Sequence, residues 1–314
     1  MHLTPQTQHL FLGILAVLAV ASVTGWILKR RAAARPAMQP VVANLVARVN
    51  AWWVMAGVLA GTLALGFHAA VIVFGLISFF ALREFITATP TTMADHRALF
   101  WSFFVILPGQ FFLVWIQWYG LFAIFIPVYA FVFLPIRMTM AGDCKGFLER
   151  TARLQWGLMV CVFFISHLPM LLTLRIPGFE GRSSQLLLFL ILVVQSSDVL
   201  QYIWGKMLGR RKVAPVLSPS KTWEGLVGGV LSASLLGLAL TGFTPFRWWE
   251  AFGLSLLATL LGFFGGLVMS AIKRDRGIKD WGHMIQGHGG MMDRIDSLCF
   301  SAPLFFHIVR HGWT

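Results

Sequence analysis

Ten stretches of the chain are solidly apolar over most or all of the length needed to cross a bilayer, and short polar segments separate them. They fall at about residues 9–28, 51–67, 69–86, 98–116, 119–136, 154–174, 185–204, 223–242, 250–270 and, shortest, 297–309. None shows the alternation of a half-buried strand, so each is predicted helical. About 20 residues of helix cross a hydrocarbon layer roughly 30 Å thick. Backbone groups inside that layer must be satisfied internally, which leaves helices or closed barrels. The pattern therefore predicts an all-α, polytopic integral membrane protein of nine or ten transmembrane helices with a polar site facing the cytoplasm. The pairs 51–67/69–86 and 98–116/119–136 have almost nothing between them and should form antiparallel hairpins.

Composition agrees with this class. Of 314 residues, 58% are hydrophobic and 12% charged, with mean hydropathy +0.77. A soluble domain carries roughly 25% charged residues. Three scattered cysteines, Cys144, Cys161 and Cys299, have neither disulfide nor metal-ligand spacing and read as packing residues. The first apolar run is followed, not preceded, by Lys29, Arg30, Arg31 and Arg35, the wrong order for a cleaved leader. An uncleaved span with its N-terminus outside is expected. Alternating the ten spans puts 21 of the 25 lysines and arginines on one side. Short loops rich in Lys and Arg stay cytoplasmic, so that side is the cytosol and the protein an inner-membrane one of a bacterium. The net charge of +13 is then largely topological. No nucleic-acid motif accompanies it, and no nucleic acid is expected as partner. The chain reads as one membrane domain, 1–314, with 1–45 an extra span and basic loop and 185–314 the catalytic region.

The densest polar segment lies between two membrane-grade runs, over residues 270–296, SAIKRDRGIKDWGHMIQGHGGMMDRID. It packs five cations, four carboxylates and five glycines into 27 residues. Lys273, Arg274, Arg276 and Lys279 alone would suit an anchor to anionic lipid. That reading leaves unexplained Asp280, the glycines Gly287, Gly289 and Gly290 around His288, and the run Asp293-Arg294-Ile295-Asp296. Glycines let a backbone approach phosphates and offer its N–H groups to anionic oxygens. Asp293 and Asp296 share a helix face at a spacing of three. Two such carboxylates repel unless a cation lies between them, and magnesium held by carboxylates and substrate phosphates suits the pair. The bland alternative is a surface ion-pair network with Lys279 and Arg294.

A second constellation spans 198–225. Asp198 sits in an otherwise apolar span beside Gln195, Ser196 and Ser197, and a charge in that position is functional or paired. Lys206, Arg210, Arg211, Lys212 and Lys221 follow as candidates to surround a polyphosphate. Thr222 is a natural N-cap for the next helix, and Glu224 in its first turn suits the helix dipole as well as it suits catalysis. Ser218-Pro219-Ser220-Lys221-Thr222 leading into a helix N-terminus makes an anion site, though not a Walker A loop.

These two segments resemble the signatures of the phosphatidate cytidylyltransferase (CDP-diacylglycerol synthase) family. In 270–296 the matching residues are Ser270, Ile272, Lys273, Arg274, Lys279, Asp280, Gly282, Gly287 to Gly290, Asp293, Arg294, Ile295 and Asp296. In the other segment Ser218, Pro219, Lys221, Thr222, Trp223, Glu224 and Gly225 match. Ala81-Leu82-Arg83-Glu84-Phe85 is a fainter echo of an early helix end in that family. Gln286 replaces a proline, Ser220 a lysine and Gln201 a small residue. Those departures point to a side branch and leave the acceptor open between phosphatidate and another phospholipid. The resemblance covers about residues 45–314.

The resemblance implies transfer of a cytidylyl group from CTP to phosphatidate, giving CDP-diacylglycerol and pyrophosphate. It assigns Asp280, Asp293 and Asp296 to one or two Mg²⁺ ions, with Asp198 in support. Ser218, Pro219, Lys221, Thr222 and Glu224 go to the nucleotide side. Lys273, Arg274, Lys279, Arg294, Gly289 and Gly290 surround the phosphates, and His288 either binds phosphate or supports the glycine turn. The partners implied are CTP, an anionic lipid and the membrane; a homodimer is left open. A membrane transporter of an anionic substrate is the rival from another class, built on Asp198 and the basic loops. Against it, the polar residues crowd one surface and mark no path through. A CDP-alcohol phosphotransferase lacks its Asp-Gly…Ala-Arg pattern here.

Overall fold

A computed structural model describes residues 5–32, 39–282, 284 and 289–314 of the chain. Ten long helices stand among them: α1 (Pro5–Ala32), α2 (Gln39–Leu65), α3 (Phe67–Thr87), α4 (Met93–Trp115), α5 (Tyr119–Thr139), α6 (Phe147–Thr173), α7 (Ser183–Leu208), α8 (Trp223–Ala239), α9 (Trp248–Asp275) and α10 (Met292–Trp313). Each covers one of the ten expected spans. Eight are long and apolar enough to cross a membrane; α8 is apolar but has 17 residues, and α10 starts inside the polar segment. The polytopic, all-helical class is as expected.

Two local differences have simple causes. Residues 39–50 are helical and not part of a loop, because Val42, Leu45, Val46 and Val49 repeat on one face and Pro40 sits in the first turn, where it needs no N–H partner. Residues 212–222 form a small antiparallel hairpin, β1 (Lys212–Ala214) with β2 (Ser218–Thr222), pairing Lys212 with Thr222 and Ala214 with Ser218. Pro215 and Pro219 exclude helix there.

The first hairpin turns at Gly66, whose φ of 98° is a conformation only glycine adopts freely. Wide helical turns at Ser102–Ile106, Phe125–Ala130 and Met159–Phe164 interrupt α4, α5 and α6, the first two at or beside Pro108 and Pro127. α6 is the most enclosed span, 72% of its apolar window buried against 11% for α2.

The C-terminal helices α7 to α10 form the tightest group. Apolar helices gain nothing from each other over lipid tails, so they hold together by close packing and hydrogen bonds. α8 presents Gly229 to Gln201 of α7 so closely that a Cβ would overlap the α7 backbone. Ser301 on α10 donates to the Ala258 carbonyl on α9 at 2.7 Å. The C-terminal ends of α3 and α9, the hairpin and the N-terminal end of α10 thereby meet at one end of the bundle.

Candidate active site

That shared end is organised around Asp293, in the first turn of α10. Lys273, at the C-terminal end of α9, donates to its Oδ1 at 2.8 Å, and both side chains are nearly buried at 12% and 5% exposure. Its Oδ2 accepts the backbone N–H groups of Trp281 at 2.8 Å and Gly290 at 3.0 Å. One carboxylate therefore ties α9 and both ends of the connecting segment to α10. Gly289 has φ of 82°, and a Cβ on it would collide with Asp293 and meet Asp280, so glycine is required twice over.

Glu84, at the end of α3, is the second anchor. Its Oε1 accepts from Met291 N at 2.8 Å and its Oε2 from Met292 N at 2.9 Å. These N–H groups open α10 and have no intrahelical acceptor, and a carboxylate there also faces the positive end of the helix. Glu84 caps a helix 207 residues away along the chain. It was visible in the sequence only as the weak Arg83-Glu84 echo and was not among the expected site residues.

The third group brings together Asp198 of α7, Asp296 of α10 and Lys221 of β2. Ser297 Oγ donates to Asp198 Oδ2 at 2.8 Å and lies 3.5 Å from Asp296 Oδ1. Lys221 Nζ reaches the Phe263 carbonyl at 3.4 Å and sits 4.5 Å above that ring. It fits because Gly266 lacks a side chain; a Cβ there would come within 3.0 Å of Nζ. Burial pushes the Lys221 pKa down, Asp198 and Asp296 pull it up, and nearby Lys273 pushes it down again, with a lowered net value. Asp198, Asp296, Lys221 and Arg294 are all half-buried, and the carboxylate oxygens are the donor type that divalent magnesium takes.

Among the described residues no three His, Cys, Asp or Glu side chains come close enough to share an ion. The expected cage of Asp280, Asp293 and Asp296 is therefore not assembled. The oxygens of Asp293 are committed to Lys273 and to backbone N–H groups, Asp280 is exposed beside Gly289, and Asp296, one turn further on, meets Asp198 through Ser297 instead.

Other expected residues divide between site and scaffold. Arg294 leaves its Nε buried with no hydrogen-bond partner among the described residues, while its backbone carbonyl accepts from Gln195 Nε2 at 2.9 Å. Arg274 braces the hairpin by donating to the Leu217 carbonyl at 3.3 Å, and also reaches the Ile278 carbonyl at 3.1 Å. Thr222 caps α8, its Oγ1 accepting from Gly225 N at 3.1 Å. Glu224 accepts from the N–H groups of Arg210 at 3.0 Å and Arg211 at 3.2 Å, which fixes the start of the hairpin to α8. Ser218 is half-buried; Pro219, Lys279, Lys206, Arg210, Arg211 and Lys212 are exposed. Gly290 is buried against Glu84. His288, with His283, Gln286 and Gly287, lies outside the described residues. Ser297 and Gln195 complete the polar set; their signal was polar side chains at sites where the helical pattern calls for apolar ones.

Comparison with known proteins decides the family. The cytidylyltransferase family matches residues 46–311. The chain belongs to that family. Every element of the site above falls inside the matched stretch, whereas α1 falls outside it. The chain is 39% identical over 265 residues to an uncharacterized Escherichia coli (strain K12) protein, YnbB, a match over 84% of this chain and 87% of the other. It is 42% identical over 130 residues to the phosphatidate cytidylyltransferase of Staphylococcus aureus (strain COL), and 40% identical over 130 residues to that of Staphylococcus saprophyticus. Those matches take in 40% of this chain and half the length of each staphylococcal enzyme. This cytidylyltransferase is thus a membrane enzyme, similar along nearly its whole length to YnbB and in part to enzymes named for phosphatidate.

Proposed function

We propose that the protein transfers the cytidylyl group of CTP to the phosphate of phosphatidate or a closely related anionic glycerophospholipid, releasing pyrophosphate, in phospholipid synthesis at the cytoplasmic face of a bacterial inner membrane. The observation that carries this reading is the meeting of Asp198, Asp296 and Lys221 around Ser297, next to Arg294. The excess of Lys and Arg on one side of the alternating spans supports the cytoplasmic placement and an N-terminus outside.

In the reaction, an ionised oxygen of the lipid phosphate attacks the α-phosphorus of CTP. The bond from that phosphorus to the β-phosphate bridging oxygen breaks, and pyrophosphate leaves with the electron pair. No general base is needed, since the nucleophile carries its charge already. The barrier is repulsion between two anions, and positioning with charge neutralisation lowers it. Asp198 and Asp296 would hold magnesium, with Ser297 orienting both carboxylates. Magnesium, when bound, supplies charge neutralisation on the phosphates. Lys221 would offer its ammonium to the nucleotide phosphates, and Arg294, whose Nε has no partner among the described residues, would offer its guanidinium to the lipid phosphate. Asp293 and Glu84 keep the Gly289–Gly290 backbone in place beside them.

Purified protein supplied with CTP, Mg²⁺ and phosphatidate is expected to give CDP-diacylglycerol and pyrophosphate in equal amounts. Failure to form pyrophosphate with any acceptor in a panel of anionic glycerophospholipids would refute the reading.

A further inference from the structure

A cavity of about 1250 Å³ lies between α1, α2, α3, α7 and α10. It exceeds the roughly 300–1,000 Å³ of ordinary small-molecule sites. Its walls follow α2 from Val42 to Thr62, which at 1.5 Å per residue is about 30 Å, twice the depth of one leaflet. The lining is almost wholly apolar, and the α2 positions Ala43, Ala47 and Ala51, four apart on one face, leave the space open. Among the few polar lining residues are Gln195 and Arg294 of the site, together with Lys29 at the C-terminal end of α1. α1 and α2 are also among the least enclosed spans, with 22% and 11% of their windows buried, so this side of the bundle adjoins lipid.

We propose that α1, the helix outside the family match, joins α2 to build an acyl-chain compartment for an anionic glycerophospholipid, whose phosphate is received at Arg294, where the compartment meets the site. The identity of that lipid as acceptor rests on the function proposed above; the compartment itself does not. Its apolar length fits acyl chains, its volume fits more than a nucleotide, and Arg294, where it meets the site, complements a phosphate. α1 thereby acts in acceptor selection.

The test is photolabelling of the whole protein in phosphatidylcholine nanodiscs containing phosphatidate with a diazirine on one acyl chain. Labels are expected on cavity-facing residues of α1 and α2, and excess unlabelled phosphatidate should remove at least tenfold of them while added phosphatidylcholine does not. Ala47→Trp, which fills the cavity, should cut cavity labelling at least tenfold. Val17→Trp, on a face of α1 that is 70% exposed, should leave the label map as in the unsubstituted protein. Labels spread over the lipid-facing surface, or removed equally by phosphatidylcholine, would overturn the proposal even if Ala47→Trp failed to fold. Specific labelling without turnover would keep the compartment and reject the cytidylyl transfer; turnover without cavity labelling would do the reverse.

Discussion

Glu84 lies far from the reacting groups in sequence, yet replacing it by glutamine should loosen the whole site. The carboxylate accepts two backbone N–H groups, from Met291 and Met292, at 2.8 and 2.9 Å. Glutamine keeps one acceptor oxygen and turns an NH₂ toward the other N–H, which is left unsatisfied. A hydrogen bond to a charged group contributes about 1.5–3 kcal/mol, and an orphaned buried donor costs a similar amount. Taking about 2 kcal/mol for the loss, with each 1.4 kcal/mol worth a factor of ten, the first turn of α10 should open about 30-fold more often. Hydrogen exchange followed by mass spectrometry over peptides covering residues 289–298 reads this directly. Turnover should fall with it, because Asp293 and Arg294 sit on that turn and Asp296 follows directly on the next. Arg83→Gln, at the exposed neighbour, should change neither quantity. Unaltered exchange of 289–298 in the Glu84→Gln protein would show that the cap does not hold the site, and the reasoning would fail.

Three further outcomes follow from the same geometry. Ser297→Ala removes the hydroxyl that orients Asp198 and should raise the Mg²⁺ concentration needed for half-maximal rate by about 10- to 100-fold, as outer-shell losses do; titration of activity with Mg²⁺ checks it, and an unchanged midpoint refutes it. Lys273→Met and Asp293→Asn should each destabilise the 276–291 segment, and their double variant should cost less than the sum by about 1–3 kcal/mol, since the pair is nearly buried; additive losses in local exchange would deny the coupling. Lys221→Met should raise the KM for CTP about tenfold or more through loss of a charge-assisted contact, with Lys221→Arg retaining part of the affinity; equal KM values would remove Lys221 from the nucleotide site.

The spans were legible because a bilayer imposes one requirement on every stretch that crosses it, a run of apolar residues about 20 long, and that requirement is local. Even α10, charged at its start, was marked by the short apolar run after Asp296. The start of α2 does not stand out as a span because Pro40, Asn44, Arg48 and Asn50 interrupt residues 39–50, while Val42 and Val49 in fact share a buried face. The 212–222 hairpin lacks the alternation that announces a strand, and its two prolines read as loop. Within the site, residue types and rough neighbourhood were readable, but the partner of each oxygen was not. Asp293 and Asp296 stand three apart on one helix and look equivalent in sequence. Asp293 meets Lys273 and the backbone N–H groups of Trp281 and Gly290, so both its oxygens are turned to holding the approach to α10. Asp296 meets the hydroxyl of Ser297, which also serves Asp198 on another helix. No local pattern encodes that division, since it depends on which main-chain groups the segment before α10 leaves without acceptors. A buried carboxylate goes first to such groups, because leaving them unpaired costs more than an ion pair at the surface returns. Asp296 meets only one such group, the N–H of Ser297 at 2.8 Å, and keeps its other oxygen clear of main-chain partners among the described residues.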